Sequence, residues 1–247
     1  MKKFLAYFFS IISFLVFFGF VVFQHVLRRN RELNFLPLFD DYGLLLISGF
    51  WTTIWVSVLV LVLSSILGFL LYLIAQSKFD YGRAMVNVFT EIIYGTPLLV
   101  MVVLMAFLIG PAFNTYNRPL LGILGLILYI APYMKNVFVS AFSTITKDQV
   151  MAMDLFGFNS FQRYRYLIFP QVIRALMPPL MNNFSLIIKG SALLYVLAFN
   201  ELYNIITIIQ YRTFLFVEGY LLLWVLYLCI TIPLSQLSNW LERKFRT

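Results

Sequence analysis

Residues 42–77 read YGLLLISGFWTTIWVSVLVLVLSSILGFLLYLIAQS, a run without a charged side chain. A helix needs about 20 predominantly apolar residues to cross a bilayer, so this run is long enough to span a membrane. The whole chain has the same character, since 62% of its 247 residues are hydrophobic and 11% are charged, against about 25% charged residues in soluble domains. The sequence therefore predicts an all-α, polytopic membrane protein.

Five more apolar segments accompany this run, one before it and four after it. Each is close to the length that a membrane-spanning helix needs, and the helix within the run itself is expected near residues 46–75. Turn residues such as Gly, Pro and Asn separate the segments, so residues 110–119 and 200–216 are expected to be short loops. The five segments are Phe4 to Gln24, 86–109, 120–142, the region between Tyr166 and Phe199, and 217–239.

The first apolar segment follows Lys2 and Lys3, as in a secretory signal peptide. Its length suffices to cross a bilayer, and no small-residue cleavage site follows it. We therefore interpret it as a retained anchor, with a cleaved signal peptide as the alternative. Residues 1–42 are expected to form this N-terminal transmembrane anchor and an outer linker, and residues 43–247 the main transmembrane domain.

Lysine and arginine decide the orientation of the six predicted spans, because cytoplasmic loops carry an excess of these residues. With both termini inside, ten of them lie on inner segments and five on outer segments. Both termini and the segment 144–166 are therefore predicted to be cytoplasmic. The inner residues are Lys2, Lys3, Lys78, Arg83, Lys147, Arg163, Arg165, Arg243, Lys244 and Arg246, and the outer ones are Arg28, Arg29, Arg31, Arg118 and Arg212.

The composition also argues against several classes of function. The net charge of +8 is typical of a membrane protein with basic inner loops, so it does not indicate nucleic acid as a partner. One cysteine, Cys229, and one histidine, His25, allow neither an intrachain disulfide nor a metal-ligand cluster. The sequence contains no phosphate-binding glycine loop, zinc-protease helix or nucleophile elbow, so we expect no catalytic site and no metal site.

The inner segment 144–166 contains the pattern of a short helix. Asp148 and Gln149 stand near its start, where acidic or hydrogen-bond-accepting side chains favour a helix N-terminus. Gly157 stands where a glycine commonly ends a helix. Such a helix on the inner side suits docking of a soluble partner, and a plain connecting loop is the alternative.

Prolines interrupt two of the predicted spans. A proline removes one amide donor and frees a carbonyl about one turn earlier, and a freed group at membrane depth must find a partner or line a water-filled cavity. Two interpretations of residues 95–97 remain open. Either the helix is kinked and the Thr96 hydroxyl bonds the freed backbone group, or the freed group contacts substrate. The residues expected to break helices are Gly95, Thr96 and Pro97 in the third span and Pro170, Pro178 and Pro179 in the fifth.

Polar side chains at membrane depth mark candidate solute contacts. A charged residue at the bilayer centre costs about 2.5–3.5 kcal/mol on translocon scales, so it usually faces a cavity or a partner. Asn182, Ser185 and Lys189 fall at i, i+3 and i+7 and share one helical face. Together with Lys135 they are predicted to line a substrate path, and packing between two membrane subunits is the alternative.

Two separated motifs carry a resemblance to a known family. The stretch from Asp148 to Leu202 and the earlier IIYGTPLLVMV at 92–102 resemble the signature regions of permease subunits of type I ABC importers. The closest resemblance is to the subfamily for polar amino acids such as histidine, glutamine, arginine and glutamate, and it covers residues 43–245. The matching residues are Gly95, Thr96, Pro97, Leu98, Leu99, Val100, Gln149, Ala152, Gly157, Pro170, Gln171, Arg174, Pro178, Pro179, Leu180, Lys189, Ser191, Leu193, Glu201 and Leu202.

This resemblance implies a fold, partners and a division of labour. The fold would be the family's five-helix core with one N-terminal helix added, in a bacterial cytoplasmic (inner) membrane. Two permease subunits, identical or related, would form the pore, two ATPase subunits would bind ATP and Mg beneath it, and an extracytoplasmic binding protein would deliver a polar amino acid. The chain itself would bind no cofactor. Its ATPase-coupling residues would be Asp148, Gln149, Ala152 and Gly157.

Several positions depart from the family's motifs. Met151 stands where the inner loop usually has Glu, and Tyr94 stands where an Arg usually precedes the Gly-Thr-Pro sequence. A divergent permease for another small solute, a channel that needs no ATPase and a membrane scaffold are the alternatives. The departing residues are Tyr94, Asn136, Val139, Asp148, Met151 and Gly190.

Overall fold

The structure, a computed structural model, describes the backbone of residues 2–29 and 32–245 and the side chains of these residues apart from 2–7, 11 and 29. Arg31 and Arg246, which the orientation argument uses, lie outside the described residues, as do the side chains of Lys2, Lys3 and Arg29. The α-helices are, in chain order, α1 (Lys2–Arg29), α2 (Leu36–Asp40), α3 (Gly43–Gln76), α4 (Asp80–Gly95), α5 (Leu98–Leu104), α6 (Gly110–Ala112), α7 (Arg118–Phe142), α8 (Lys147–Leu155), α9 (Ser160–Arg163), α10 (Phe169–Ser191), α11 (Leu202–Thr213) and α12 (Phe216–Phe245).

The predicted all-α membrane fold is confirmed. Helix accounts for 87% of the chain, with no strand among the described residues. In the same part of the chain, five helical segments are long and apolar enough to cross a membrane: α1, α3, α7, α10 with its flanking turns, and α12. A sixth crossing results if α4 is counted together with the helix from Leu98 to Ala112, although the two are bent by 110° at the intervening break.

Pro178 and Pro179 lie inside α10, which continues unbroken through both of them. The helix break expected there from the sequence is therefore absent. Their rings remove the amide donors that the carbonyls of Arg174 and Ala175 would use in a regular helix. Both of these residues line a cavity, where water can serve a freed carbonyl, so the helix tolerates the proline pair.

Pro170 does not break the span either. It lies in the first turn of α10, directly after a π-helical turn, so the amide donor that its ring removes falls where the helix type changes. One π-helical turn, Tyr164–Ile168, connects this turn directly to α9, and a local change of helix type is a common way to absorb an interruption. Residues Ser160–Leu197 therefore form one nearly continuous helical segment.

The core is built around α7, which packs on α3, α10 and α5. Its buried Ile130 and Met134 belong to the same apolar cluster as Val60 of α3. The two helices approach most closely at Gly68, where a Cβ atom would lie 2.4 Å from Cβ of Met134 and 2.8 Å from the carbonyl oxygen of Ala131. A larger residue at this position would push the two helices apart.

Residues 200–216 are not the short loop expected from the sequence. They contain α11, whose Leu202, Ile205, Ile206 and Ile209 are fully buried in a cluster with residues of α3 and α12. These four positions have the spacing i, i+3, i+4 and i+7 of an amphipathic helix, but α11 is too short to cross a bilayer. The expectation of a loop between the last two spans was therefore wrong, because a buried helix lies there.

We expect Gly68→Ala to destabilise the protein, because the added Cβ meets backbone and a side-chain stem of α7 rather than a flexible chain end. Overpacking of this kind costs about 1–3 kcal/mol, which should lower the thermal midpoint of the detergent-solubilised protein by several degrees. Gly43→Ala is the control, since no described atom lies within 4 Å of a Cβ built there. Equal midpoints for the two variants would contradict the close approach.

Candidate functional site

The short helix expected in the inner segment is α8, and a capping box starts it. The Thr146 hydroxyl accepts a hydrogen bond from the backbone N–H of Gln149 at 3.3 Å, and the Gln149 side chain accepts one from the N–H of Thr146 at 3.1 Å. Asp148 lies in the first turn, where a negative charge interacts favourably with the helix dipole. Within this chain, Asp148 and Gln149 thus fix the start of α8, and Ala152 is exposed on its surface.

Gly157 ends α8 in a Schellman motif. The N–H of Phe158 donates to the carbonyl of Met153 and the N–H of Gly157 to the carbonyl of Asp154, both at 3.0 Å. Gly157 has φ of +73°, a conformation that costs glycine nothing and strains other residues. Among the described residues no atom lies within 4 Å of a Cβ built at Gly157, so the backbone conformation alone selects glycine here.

The chain leaves this turn into a second rigid element. A capping box between Asn159 and Gln162 starts α9, and Nη1 of Arg163 lies 2.6 Å from Oδ1 of Asp154 at the end of α8. Two capped helices joined by an ion pair and a glycine turn have little freedom to rearrange. Residues 146–163 therefore form a pre-organised unit at the start of the long segment that contains α10.

This unit presents apolar side chains to its surroundings. Met151, Leu155, Phe156 and Phe161, which we call the coupling surface, are between 61% and 88% exposed. Neither α8 nor α9 contains a buried residue, so the unit covers no core of its own. Met151, Leu155 and Phe156 lie outside the candidate spans, and Phe161 stands at the start of the span Ser160–Leu197. Large apolar side chains exposed together at such a place indicate a protein interaction site.

Lys189 lines a cavity of about 450 Å³ between α10, α11 and α12. Apart from this ammonium group, the described residues of the wall contribute aromatic rings, hydroxyl groups and aliphatic side chains, and none of them contributes a carboxylate. An ammonium group among aromatic faces suits a carboxylate whose other end is uncharged. The cavity, called the Lys189 cavity below, is lined by Lys189, Ala192, Tyr203, Tyr220, Leu223, Trp224, Tyr227, Leu228 and Thr231.

Asn182 lines a different cavity from Lys189. This second cavity, of about 400 Å³, lies between α10 and the end of α12 and includes Arg174 and Glu242. The Asn182 side-chain oxygen accepts a hydrogen bond from the Ser238 hydroxyl at 3.0 Å, which ties α10 to α12. The shared face that the sequence predicts thus adjoins two separate cavities, with Ser185 on α10 between them.

Lys135 is buried beside α4 rather than on the wall of the Lys189 cavity. Its Nζ donates a hydrogen bond to Oγ1 of Thr90 at 3.0 Å, and the Thr90 hydroxyl in turn donates to the carbonyl of Val86 at 2.7 Å. A buried ammonium group needs such acceptors. Within one chain Lys135 therefore joins α7 to α4, and the structure does not bring it together with Asn182, Ser185 and Lys189.

The break predicted at 95–97 is present as an interruption of two extended residues. α4 ends at Gly95, Thr96 and Pro97 have extended conformations, and α5 begins at Leu98. The Thr96 hydroxyl donates to the carbonyl of Ile92 at 2.7 Å, so the threonine supplies a donor near the end of α4. The chain is broken here rather than kinked, and the Thr96 hydroxyl satisfies a backbone carbonyl, which was one of the two roles that the sequence leaves open.

Two departures from the family motif are partners of each other. Nδ2 of Asn136 on α7 donates to the Tyr94 hydroxyl of α4 at 2.5 Å. The Tyr94 hydroxyl also lies 3.5 Å from the carbonyl of Pro132, and its ring packs on Tyr133. Tyr94 and Asn136 therefore fasten the end of α4 to α7 just before the break.

Glu201 is a buried residue to which reasoning from the residues alone assigned no role. Its carboxylate caps α11 and accepts from the N–H groups of Tyr203 at 2.9 Å and Asn204 at 2.8 Å, and from the Tyr227 hydroxyl at 3.1 Å. The hydroxyl of Thr53 on α3 lies 3.5 Å from the same carboxylate. Burial raises the pKa of the Glu201 carboxyl to about 7, although these hydrogen bonds oppose the rise.

Glu201 also supports the Lys189 cavity, since two of its hydrogen-bond donors, the N–H of Tyr203 and the hydroxyl of Tyr227, belong to residues of the cavity wall. The sequence signal that points to Glu201 is its position directly before the apolar spacing of α11. That signal becomes visible only once α11 is recognised as a helix.

The helical spans, the exposed capped unit and the cavity between α10, α11 and α12 are consistent with a multi-span membrane transport protein. The chain belongs to the family described as "Binding-protein-dependent transport system inner membrane component", whose profile matches residues 66–247. The resemblance inferred from the two sequence motifs is thus confirmed. The chain is a transport subunit of this family and a multi-pass membrane protein.

Named relatives extend over most of the chain. The probable glutamine ABC transporter permease protein GlnM of Bacillus subtilis (strain 168) is 27% identical over 212 residues, which cover 86% of this chain and 98% of the relative. The glutamine transport system permease protein GlnP of Escherichia coli (strain K12) is 30% identical over 208 residues, which cover 82% of this chain and 93% of the relative.

Solved structures share the fold. One described as "Crystal structure of an amino acid ABC transporter with histidines" is 26% identical, with a TM-score of 0.76, and the match covers 87% of this chain and 100% of that chain. An inward-facing structure of the MetNI methionine ABC transporter is 17% identical, with a TM-score of 0.61, and the match covers 82% of this chain and 98% of that one. The second likeness concerns the fold alone.

Glu201 should make stability depend on pH. Because its pKa in the folded protein is about 7, against an ordinary value of 4.5, the native state binds the proton more tightly than the unfolded chain. The contribution is fully present below the ordinary pKa and is lost as the pH rises through the folded value. The thermal midpoint in detergent should therefore fall as the pH is raised across this window, and Glu201→Gln should remove that part of the fall.

Glu91→Gln is the matched control, because Glu91 lies exposed on α4. Its pH profile should follow that of the wild type. A Glu201→Gln profile that also follows the wild type would show that the carboxyl group does not titrate with the expected asymmetry.

Proposed function

We propose that this chain is the membrane-spanning permease subunit of an ATP-driven importer for a polar amino acid. An extracytoplasmic binding protein delivers the solute, and a separate subunit hydrolyses ATP. Relatives named as glutamine and amino-acid ABC transporter permeases support this solute class. The observation that carries the proposal is the coupling surface, a rigid and exposed apolar unit placed at the start of the helical segment that leads to the Lys189 cavity.

The coupling surface is the docking site for the ATPase. Met151 contributes an apolar contact where related permeases carry a Glu, so this chain docks through apolar area to a greater extent. ATP and Mg belong to the partner ATPase, and this chain hydrolyses nothing. A second permease subunit completes the pore in the bilayer of a bacterial inner membrane, with both termini and residues 144–166 in the cytoplasm.

The nearly continuous helix from Ser160 to Leu197 is the connection between ATPase and solute. Movement of α8 and α9 with the ATPase displaces α10, because the Arg163–Asp154 ion pair joins α8 to α9 and one π-helical turn joins α9 to α10. Lys189 lies on the same helix and moves with it. Both sites then bias one element, which is the condition for energetic coupling between them.

Lys189 is the principal solute contact in this scheme. Its ammonium group binds the carboxylate of the amino acid, and the hydroxyl and ring faces of the cavity surround the remainder. Asn182 and Ser185 extend the path along α10, from the second cavity toward the Lys189 cavity. Lys135 supports the path from outside by holding α4 against α7.

Substitution at Gly157 tests the coupling role. Gly157→Val should strain the turn between α8 and α9, because valine does not tolerate φ of +73°. Asparagine tolerates this conformation, so Gly157→Asn should behave as the wild type. The measurement is ATP-driven amino-acid uptake per ATP hydrolysed by the complete complex in proteoliposomes, together with the amount of ATPase that copurifies with the permease.

We expect Gly157→Val to insert into the membrane normally while losing copurified ATPase or uptake per ATP. Wild-type uptake by Gly157→Val would exclude the docking role of this unit. Failure of the wild-type chain to copurify with an ATPase, or ATP-independent uptake by the chain alone, would exclude the importer.

Lys189→Ala should weaken uptake more than assembly, because it removes the cation of the cavity. Loss of one hydrogen bond to a charged group corresponds to about a tenfold lower affinity. Lys189→Arg preserves the charge and should retain part of the activity, and Lys78→Ala, at a residue that lines neither cavity, is the control. Normal uptake and affinity in Lys189→Ala would make Lys189 a structural residue only.

A further inference from the structure

Helix α1 lies outside the part of the chain that matches the family profile, which begins at residue 66. Most of its described side chains are exposed, as expected for a helix in lipid. Five of them, Phe18, Val22, Gln24, His25 and Val26, are partly buried, and all except Gln24 fall at i, i+4, i+7 and i+8, on one helical face. Part of this face, in the C-terminal half of α1, is therefore covered by the rest of the protein.

Two contacts link α1 and the linker after it to α12. The N–H of Asn34 donates to Oε1 of Glu218, at the start of α12, at 3.3 Å. The C-terminal end of α1 is thereby held near the N-terminal end of α12, so the two helices run in opposite directions. Further along, the rings of Phe18 and Trp224 stack with their centroids 4.7 Å apart and their planes 24° from parallel.

Trp224 also belongs to the wall of the Lys189 cavity. One residue of α12 is thus shared between the packing of α1 and the candidate solute site. On another side of the cavity, Glu201 holds Tyr203 and Tyr227 through hydrogen bonds. A large ring without such a bond depends on packing to keep its position, and Phe18 supplies that packing.

We propose that α1 is part of the solute site: Phe18 holds Trp224 where its ring closes one side of the Lys189 cavity, and this wall sets the class of solute accepted. This inference rests on the proposed function. Among the described residues that line the cavity, Lys189 is the only charged one, so a carboxylate is held there while a cationic side chain meets repulsion. The aromatic and hydroxyl-bearing walls favour amino acids with a neutral side chain. Phe18 is a positioning residue in this scheme, acting through Trp224.

The contact itself is tested by cysteine cross-linking in native membranes. In a Cys229→Ser background, the pair Phe18→Cys and Trp224→Cys should form a disulfide under mild oxidation. The pair Phe20→Cys and Trp224→Cys is the control, since Phe20 is more than half exposed and lies off the packed face. Absence of the first cross-link, or equal formation of both, would overturn the inference.

The solute class is tested by binding without the binding protein, so that only the membrane complex selects. Affinities of L-phenylalanine, L-glutamine and L-arginine are obtained from their effect on the thermal midpoint of the detergent-solubilised permease–ATPase complex. Wild type should bind L-glutamine and L-phenylalanine more tightly than L-arginine. Phe18→Ala should weaken L-phenylalanine binding about fivefold, the effect of losing one aromatic pair, and leave L-glutamine nearly unchanged.

Phe18→Tyr should restore the wild-type order, because it keeps the ring, and Phe20→Ala should not change it. An equal loss for all three amino acids in Phe18→Ala would mean that the helix only stabilises the fold. Binding of L-arginine as tight as that of L-phenylalanine, or of none of the three, would overturn the assigned solute class. The proposed function is tested separately by measuring ATP-driven uptake by the wild-type complex, and uptake of any amino acid would support it.

Discussion

The need to satisfy backbone hydrogen bonds at membrane depth is the constraint on which the rest of this structure depends. Amide and carbonyl groups in hydrocarbon must find partners inside the protein, and long helices meet that need over most of the chain. Where a helix is interrupted or contains a pair of prolines, another group or a cavity serves the backbone amides or carbonyls that lose their helical partners. The Thr96 hydroxyl serves a carbonyl near the 110° bend, the Glu201 carboxylate accepts the first amides of α11, and a cavity adjoins Pro178 and Pro179.

The groups that satisfy the backbone at these places also determine the shape of the Lys189 cavity and of the helix that leads to it. Glu201 caps α11 and at the same time orients Tyr227 at the cavity wall. The tolerance of α10 for its prolines leaves one nearly continuous helix between the coupling surface and Lys189. Because α10 is not broken, a displacement at its N-terminal end reaches the cavity without passing through a hinge. Irregular backbone is confined to the ends of this connection.

The sequence predicted those features that depend on residues close together in the chain. Apolar length predicted the spans, and the cap and glycine signals predicted α8 and its end at Gly157. The sequence could not predict features that depend on packing between helices far apart in the chain. Asn182 and Lys189 share a helical face, but α12 packs against that face and separates their cavities. The sequence of α11 resembles a loop because the partners that bury its apolar residues lie on other helices, among them α3 and α12. The contact of Phe18 with Trp224 likewise joins residues far apart in the chain.

The hydrogen bond between Asn136 and Tyr94 changes how departures from a family motif should be counted. Each residue alone looks like the loss of a conserved feature, and two losses suggest a decaying transporter. The two side chains form a hydrogen bond with each other between α4 and α7. They are therefore better counted as one paired departure than as two separate ones. An arginine at position 94 would remove the hydroxyl group to which Asn136 donates, so a substitution at one of the two positions changes the surroundings of the other.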